Sequence, residues 1–174
     1  MTIPRPAPDE YGAWYAGYVA AVPAGEIESL LVTQLDEAAA MLRGVPESRA
    51  GFRYADGKWS IREVTGHLAD AERIFAYRLL RFARGDAAPL AGFDENAYVE
   101  RAGFDRRTLA ELVDDLRIVR QATISLVAGL DPATWENRGI ASDAVMSVRA
   151  LVYVIVGHQQ HHLAVLQDRY LAKL

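Results

Sequence analysis

Apolar positions recur at three- and four-residue steps through four long stretches of the chain, the spacing of helices that bury one face. The first runs from Gly25 to Arg43, with Ile27, Leu30, Leu31, Leu35, Ala38, Ala39 and Leu42 on one stripe. In the second, Ile61, Val64, Leu68, Ala71, Phe75, Leu79 and Phe82 lead up to the stop "RGDAAP". Leu109, Leu112, Val113, Leu116, Val119, Ile124 and Leu126 carry the third to Gly129, and the fourth starts near Ser147 and runs almost to the C-terminus. Ser60 with Glu63, and Thr108 with Glu111, have the spacing of capping boxes, which fix the starts of the second and third helices.

Four such helices predict an all-α fold, a four-helix bundle. The connection between the second and third is much the longest and predicts a short helix around Glu95 to Arg101. A link of that length can cross the end of the bundle, so these two helices need not be simple antiparallel neighbours. Residues 1–24 read as a Pro-rich lead-in with one short helix before Pro23, and residues 25–174 as the bundle domain. No run of alternating strands is predicted.

The 174 residues suffice for one domain with an ordinary core, and the net charge of −4 argues against nucleic acid as a partner. Cys is absent, so any metal must be held by N and O ligands. The N-terminus has prolines where a signal peptide would be apolar, and the longest uncharged apolar run, residues 150–157, is too short to span a bilayer. A cytoplasmic protein with no membrane partner is expected, and a homodimer.

The chemistry is concentrated in histidine. Three of the four histidines fall in "GHQQHHLAVLQ", residues 157–167. His158 and His162 are four apart and share a face, in register with Leu151, Val154, Ile155, Val165 and Leu166. His67 lies inward on the second helix. Three inward imidazoles could converge on one Zn²⁺ and leave a fourth position for water or substrate, or they could be core histidines satisfied by hydrogen bonds. His161 diverges from His162 by about 100° and reads as a rim residue or, alternatively, as the true ligand.

"GKWSIREVTGHLADAER" at 57–73, together with "GHQQHHLAVLQ", resembles the DinB-like family, also called the YfiT or DinB_2 group. There a Trp-Ser helix start leads to a histidine on helix two, and a His-x-x-x-His, often with an extra His, sits on helix four. The resemblance covers most of the chain from about residue 25. It implies a four-helix bundle with a long crossover, and a divalent metal, zinc or nickel, held by three histidines. Position by position these are His67, His158 and His162, with His161 as the variable extra one.

Characterised relatives include enzymes that join low-molecular-weight thiols, such as bacillithiol or mycothiol, to electrophiles. The expectation is therefore a metal-dependent thiol S-transferase or a related hydrolase acting on a small molecule, with the thiol as co-substrate. The alternatives are a non-catalytic metal-bound module for stress response or dimerisation, and a metal-free interaction protein. Asp70 could orient His67 through its second ring nitrogen or could be a solvated acid. Asp94 and Glu95 could be acid or base at the pocket mouth, or helix caps. Arg117 and Arg120 could bind the carboxylates of an anionic thiol, while Trp59 and Ser60 read as structural.

Overall fold

The computed structural model describes residues 3–86 and 88–174. Its helices are α1 (Ala16–Ala21), α2 (Ile27–Arg43), α3 (Ile61–Ala83), α4 (Glu95–Ala102), α5 (Leu109–Ala128) and α6 (Val148–Val165). Both capping boxes form. Ser60 Oγ accepts from the Glu63 N–H at 3.2 Å and Thr108 Oγ1 from that of Glu111 at 3.2 Å, and each Glu carboxylate accepts from its cap N–H. Asp94 caps α4, accepting from Asn96 N and Ala97 N, and Gly103 ends it in the left-handed conformation at φ 66°. Ser147 caps α6.

The four long helices are α2, α3, α5 and α6, and polar contacts fix their directions. Glu47 binds both Arg62, at the start of α3, and Leu109 N, at the start of α5, so these two helices begin at the same end and run parallel. Arg43, closing α2, reaches Asp114 near the start of α5, so α2 runs against α5. The Tyr170 hydroxyl, just beyond α6, donates to the Trp59 carbonyl beside the start of α3, so α6 runs against α3. Around the bundle, α3 packs on α5 and α6, and α2 packs on the same two. Helices consecutive in sequence, α2 with α3 and α5 with α6, therefore occupy opposite corners. The long link carrying α4 returns the chain from the far end of α3 to the near end of α5, the crossover that its length predicts.

One element was not legible as sequence. Between α5 and α6 lies a hairpin, β1 (Arg138–Ala141) and β2 (Ala144–Ser147), antiparallel with Ala141 opposite Ala144. Its two-residue turn places Ser142 at φ 52° and Asp143 at φ 60°, the geometry of a primed turn without the usual Asn-Gly signal. Gly139 is required because a Cβ there would lie 2.1 Å from the Phe82 ring. The crossover adds Leu90 to this hairpin, donating to the Ile140 carbonyl and accepting from Ser142 N.

The lead-in is packed onto the bundle. Ile3, Tyr15, Val19 and Val22 are buried in the same cluster as Leu151, Val152 and Val156 of α6. Arg5 donates to the carbonyls of Val19 and Val22 at the end of α1, where the helix dipole favours a cation. Glu10 pairs with Arg149, and Tyr153 donates to the Ile3 carbonyl. The first half of α6 is thus covered all round, which explains why residues 150–157 are apolar and buried. No helix among the described residues is long and apolar enough to cross a membrane.

Candidate metal centre

His67 lies on α3 and His158 and His162 lie on α6, and the antiparallel packing of these helices brings the three imidazoles together. His67 is 5% exposed and His158 6%. The His67 and His158 Nε2 atoms face each other at 3.1 Å, and one nitrogen from each of the three rings lies within 4.8 Å of the others. Two nitrogens held 2.0–2.1 Å from a tetrahedral ion would be about 3.3 Å apart, so this group could hold a metal. Burial favours the neutral imidazoles that a metal requires. It pushes His67 down to about 4 and His162 to about 3, and holds His158 well below the usual histidine range, with the neighbouring imidazoles acting in the same direction on the two α6 residues.

A cavity of about 550 Å³ opens on one face of the cluster, walled by Trp14, Tyr15, Tyr18, Trp59, Phe75, Phe93 and Ser142 along with the histidines. Aromatic edges hold the imidazoles in place. The Trp59 ring lies 4.7 Å from that of His67, and Tyr18 and Phe75 meet His158 edge-on at 5.3 and 5.5 Å. Burial, reinforced by the Glu95 carboxylate, raises the Tyr18 hydroxyl above its ordinary pKa. A smaller hollow of about 270 Å³, lined by Tyr54, Lys58, Asn96 and Tyr170, shares Trp59, His161 and His162 with the first.

Each further candidate has a definite place. His161 is exposed at the rim, 5.5 Å from the Tyr18 ring, and is outside the three-imidazole group. Glu95 lines the larger cavity, while Asp94 next to it is occupied in capping α4. Asp70 is engaged by Arg73 at 3.1 Å, and among the described residues no hydrogen bond joins it to His67. Burial raises its carboxyl pKa, against the opposing pull of Arg73.

Arg117 is half-buried on α5 and Arg120 fully buried, and neither lines either of these two cavities. Arg120 is already neutralised: Glu72 accepts from it at 2.8 Å, with Gln34 and Gln159 as further acceptors. It cannot serve an incoming carboxylate, because its charge is spent within the core. Glu72 lies beside the inward stripe of α3, but nothing in the sequence pairs it with Arg120. Trp59, legible as a packing residue, also forms cavity wall. Tyr15, Tyr18 and Ser142 carried no sequence signal, since they reach the cavity only through the docking of the lead-in and the hairpin.

Fold and site together define a mostly helical protein, a four-helix bundle with a three-histidine group open to a cavity. A family model described as the DinB superfamily matches residues 30–166, and the chain belongs to that superfamily. Its structure is similar to that of YfiT from Bacillus subtilis, described as "a probable metal-dependent hydrolase with an unusual four-helix bundle topology". The TM-score is 0.72 at 18% identity, over 84% of this chain and 87% of that one. No curated protein matches the sequence.

Proposed function

We propose that the protein is a metal-dependent enzyme acting on a small molecule, with His67, His158 and His162 holding a divalent ion, zinc or nickel. The observation that carries this reading is the three-imidazole group with a cavity on its open face. A divalent ion in such a set lowers the pKa of a water or thiol that it binds, which suits hydrolysis or the transfer of a low-molecular-weight thiol to an electrophile. The chain supplies the rest. Trp59, Phe75 and Tyr18 pack against the His67 and His158 imidazoles and shield them from bulk water. Glu95 and His161 are placed at the cavity to accept or deliver a proton, and the absence of Cys fits a thiol brought in as co-substrate.

A non-catalytic metal module predicts a closed coordination sphere, and the cavity speaks against it. A cytoplasmic homodimer completes the proposal, and exposed Val32 on α2 and Ile118 on the neighbouring α5 offer it apolar surface. The deciding experiment is elemental analysis of tag-free protein beside His158→Ala. Near one metal per chain in the wild type and little in the variant is expected, followed by a hydrolase and thiol-transfer screen with that ion. No metal in either, after incubation with Zn²⁺ or Ni²⁺, overturns the reading. Sedimentation equilibrium decides the dimer.

A further inference from the structure

Among the described residues two arginines are fully buried, Arg120 and Arg78, and Arg149 is largely so. Arg120 has the carboxylate of Glu72, and Arg149 that of Glu10. Arg78 on α3, only 1% exposed, has none among the described residues. Its acceptors are all neutral: the Ala91 carbonyl at 2.9 Å, Ser142 Oγ at 3.0 Å and the Tyr15 hydroxyl at 3.4 Å. A guanidinium offers five N–H donors and cannot shed its charge, so burial without a counter-ion is costly unless something supplies one.

Two of the three acceptors, Tyr15 and Ser142, line the larger cavity. Each hydroxyl accepts from Arg78, and its own proton has no acceptor among the described residues, so it can be donated into the cavity. Ser142 reaches this position only because the hairpin turn holds it at φ 52°, an unfavourable conformation for a serine. Tyr15 packs against Phe75, and Phe75 against His158, so one aromatic ring lies between that of Tyr15 and the histidine group.

We infer that the far end of the larger cavity is an anion subsite, in which the Tyr15 and Ser142 hydroxyls, backed by the uncompensated Arg78 charge, receive the carboxylate of the substrate. The substrate class is then a small, elongate acid. Its reactive group lies at the histidines, its middle lies on Phe75, and its carboxylate lies between the two hydroxyls. This deepens the proposed function and rests on it for the reactive end alone.

The test uses two thiols that differ only in charge, 4-(mercaptomethyl)benzoate and its neutral carboxamide, titrated into Co²⁺-loaded protein and followed by the thiolate–Co²⁺ absorption. The carboxylate is expected to bind about tenfold more tightly or better, the scale of a charge-assisted hydrogen bond. Arg78→Gln is expected to bring the two within about twofold while retaining Co²⁺ and its band. Ser142→Gly, which suits the left-handed backbone and so preserves the fold, is expected to weaken the preference. Arg78→Lys should restore part of it.

Equal affinities in the wild type, or a preference that survives in both Arg78→Gln and Ser142→Gly, would overturn the inference. Failure to take up Co²⁺ would instead count against the metal reading. The same pair is then titrated into metal-free protein by calorimetry, and the same comparison of charged with neutral probe decides the anion subsite.

Discussion

Gly157 and Tyr18 meet backbone to backbone: a Cβ built on Gly157 would lie 2.0 Å from the Tyr18 carbonyl oxygen. The missing side chain on α6 lets α1 lie directly against it, one residue before His158. That contact seats the Tyr18 ring against both His158 and His161.

The first prediction follows from this approach. In Gly157→Ala the new methyl meets backbone rather than a flexible side chain, so α1 must move. A loss of about 3 kcal/mol is expected in urea unfolding, as for overpacking of a close contact. The displaced Tyr18 should alter the environment of the histidines, visible as a changed Co²⁺ spectrum.

Single alanine substitutions should separate the histidines into two groups. His67→Ala and His162→Ala are expected to lose most of the metal, as His158→Ala does, while His161→Ala keeps about one ion per chain. Elemental analysis of the variants checks this. If His161→Ala empties the site and His162→Ala does not, the two adjacent residues exchange roles.

Chelation provides an independent reading on stability. An ion bound only by the folded state adds about 4 kcal/mol at a free concentration a thousand times its dissociation constant. Adding EDTA should lower the melting temperature of the wild type and leave that of His158→Ala where it is. A wild-type melt indifferent to both chelator and added ion would count against a tight site.

The buried Glu72–Arg120 pair makes a different prediction. Glu72→Gln leaves Arg120 charged, fully buried and without its carboxylate, at an expected cost of about 3 to 5 kcal/mol. Replacing both residues, as Glu72→Gln with Arg120→Met, should cost less than the sum of the single changes, because the stranded charge is gone. Denaturant unfolding of the double-mutant cycle measures the coupling.

Glu10 predicts an acid limb. Hydrogen bonds from Arg149 outweigh the cost of burial and hold its carboxyl down to about 2, against 4.5 ordinarily. The folded form binds this proton less readily than the unfolded form, so the contribution is fully present above pH about 4.5 and is lost as pH falls toward 2. Glu10→Gln should flatten that part of the stability–pH curve, measured by thermal melts of wild type and variant between pH 2 and 6.

The parts of this architecture that were legible as sequence are those encoded locally. Apolar periodicity and the Ser60, Thr108 and Asp94 caps mark the long helices and α4, because a cap and a stripe each depend on residues three or four apart. The inward stripes made a convergence of His67, His158 and His162 conceivable, and the structure brings the three together. The hairpin was not legible, since its turn is Ser142-Asp143 and each strand has four residues. The partner of Arg120 depends on the relative rotation of α3 and α5, which periodicity leaves open to within a residue or two, whereas that of Asp70 is Arg73, three residues on along α3. Arg78 gave no signal because its meaning lies in the acceptors that reach it from the lead-in, the crossover and the hairpin.

The crossover also imposes a timetable. His158 follows His67 by 91 positions, and the helices bearing them meet only after the intervening link has returned the chain across the bundle. At ribosomal speeds of about 5 to 20 residues per second, His67 waits roughly 5 to 18 seconds for its partner to be synthesised. During that interval the nascent chain has no pair of histidines to trap an ion. Under the proposed function, a complete three-imidazole group is therefore available to an ion only once α6 has emerged and packed against α3.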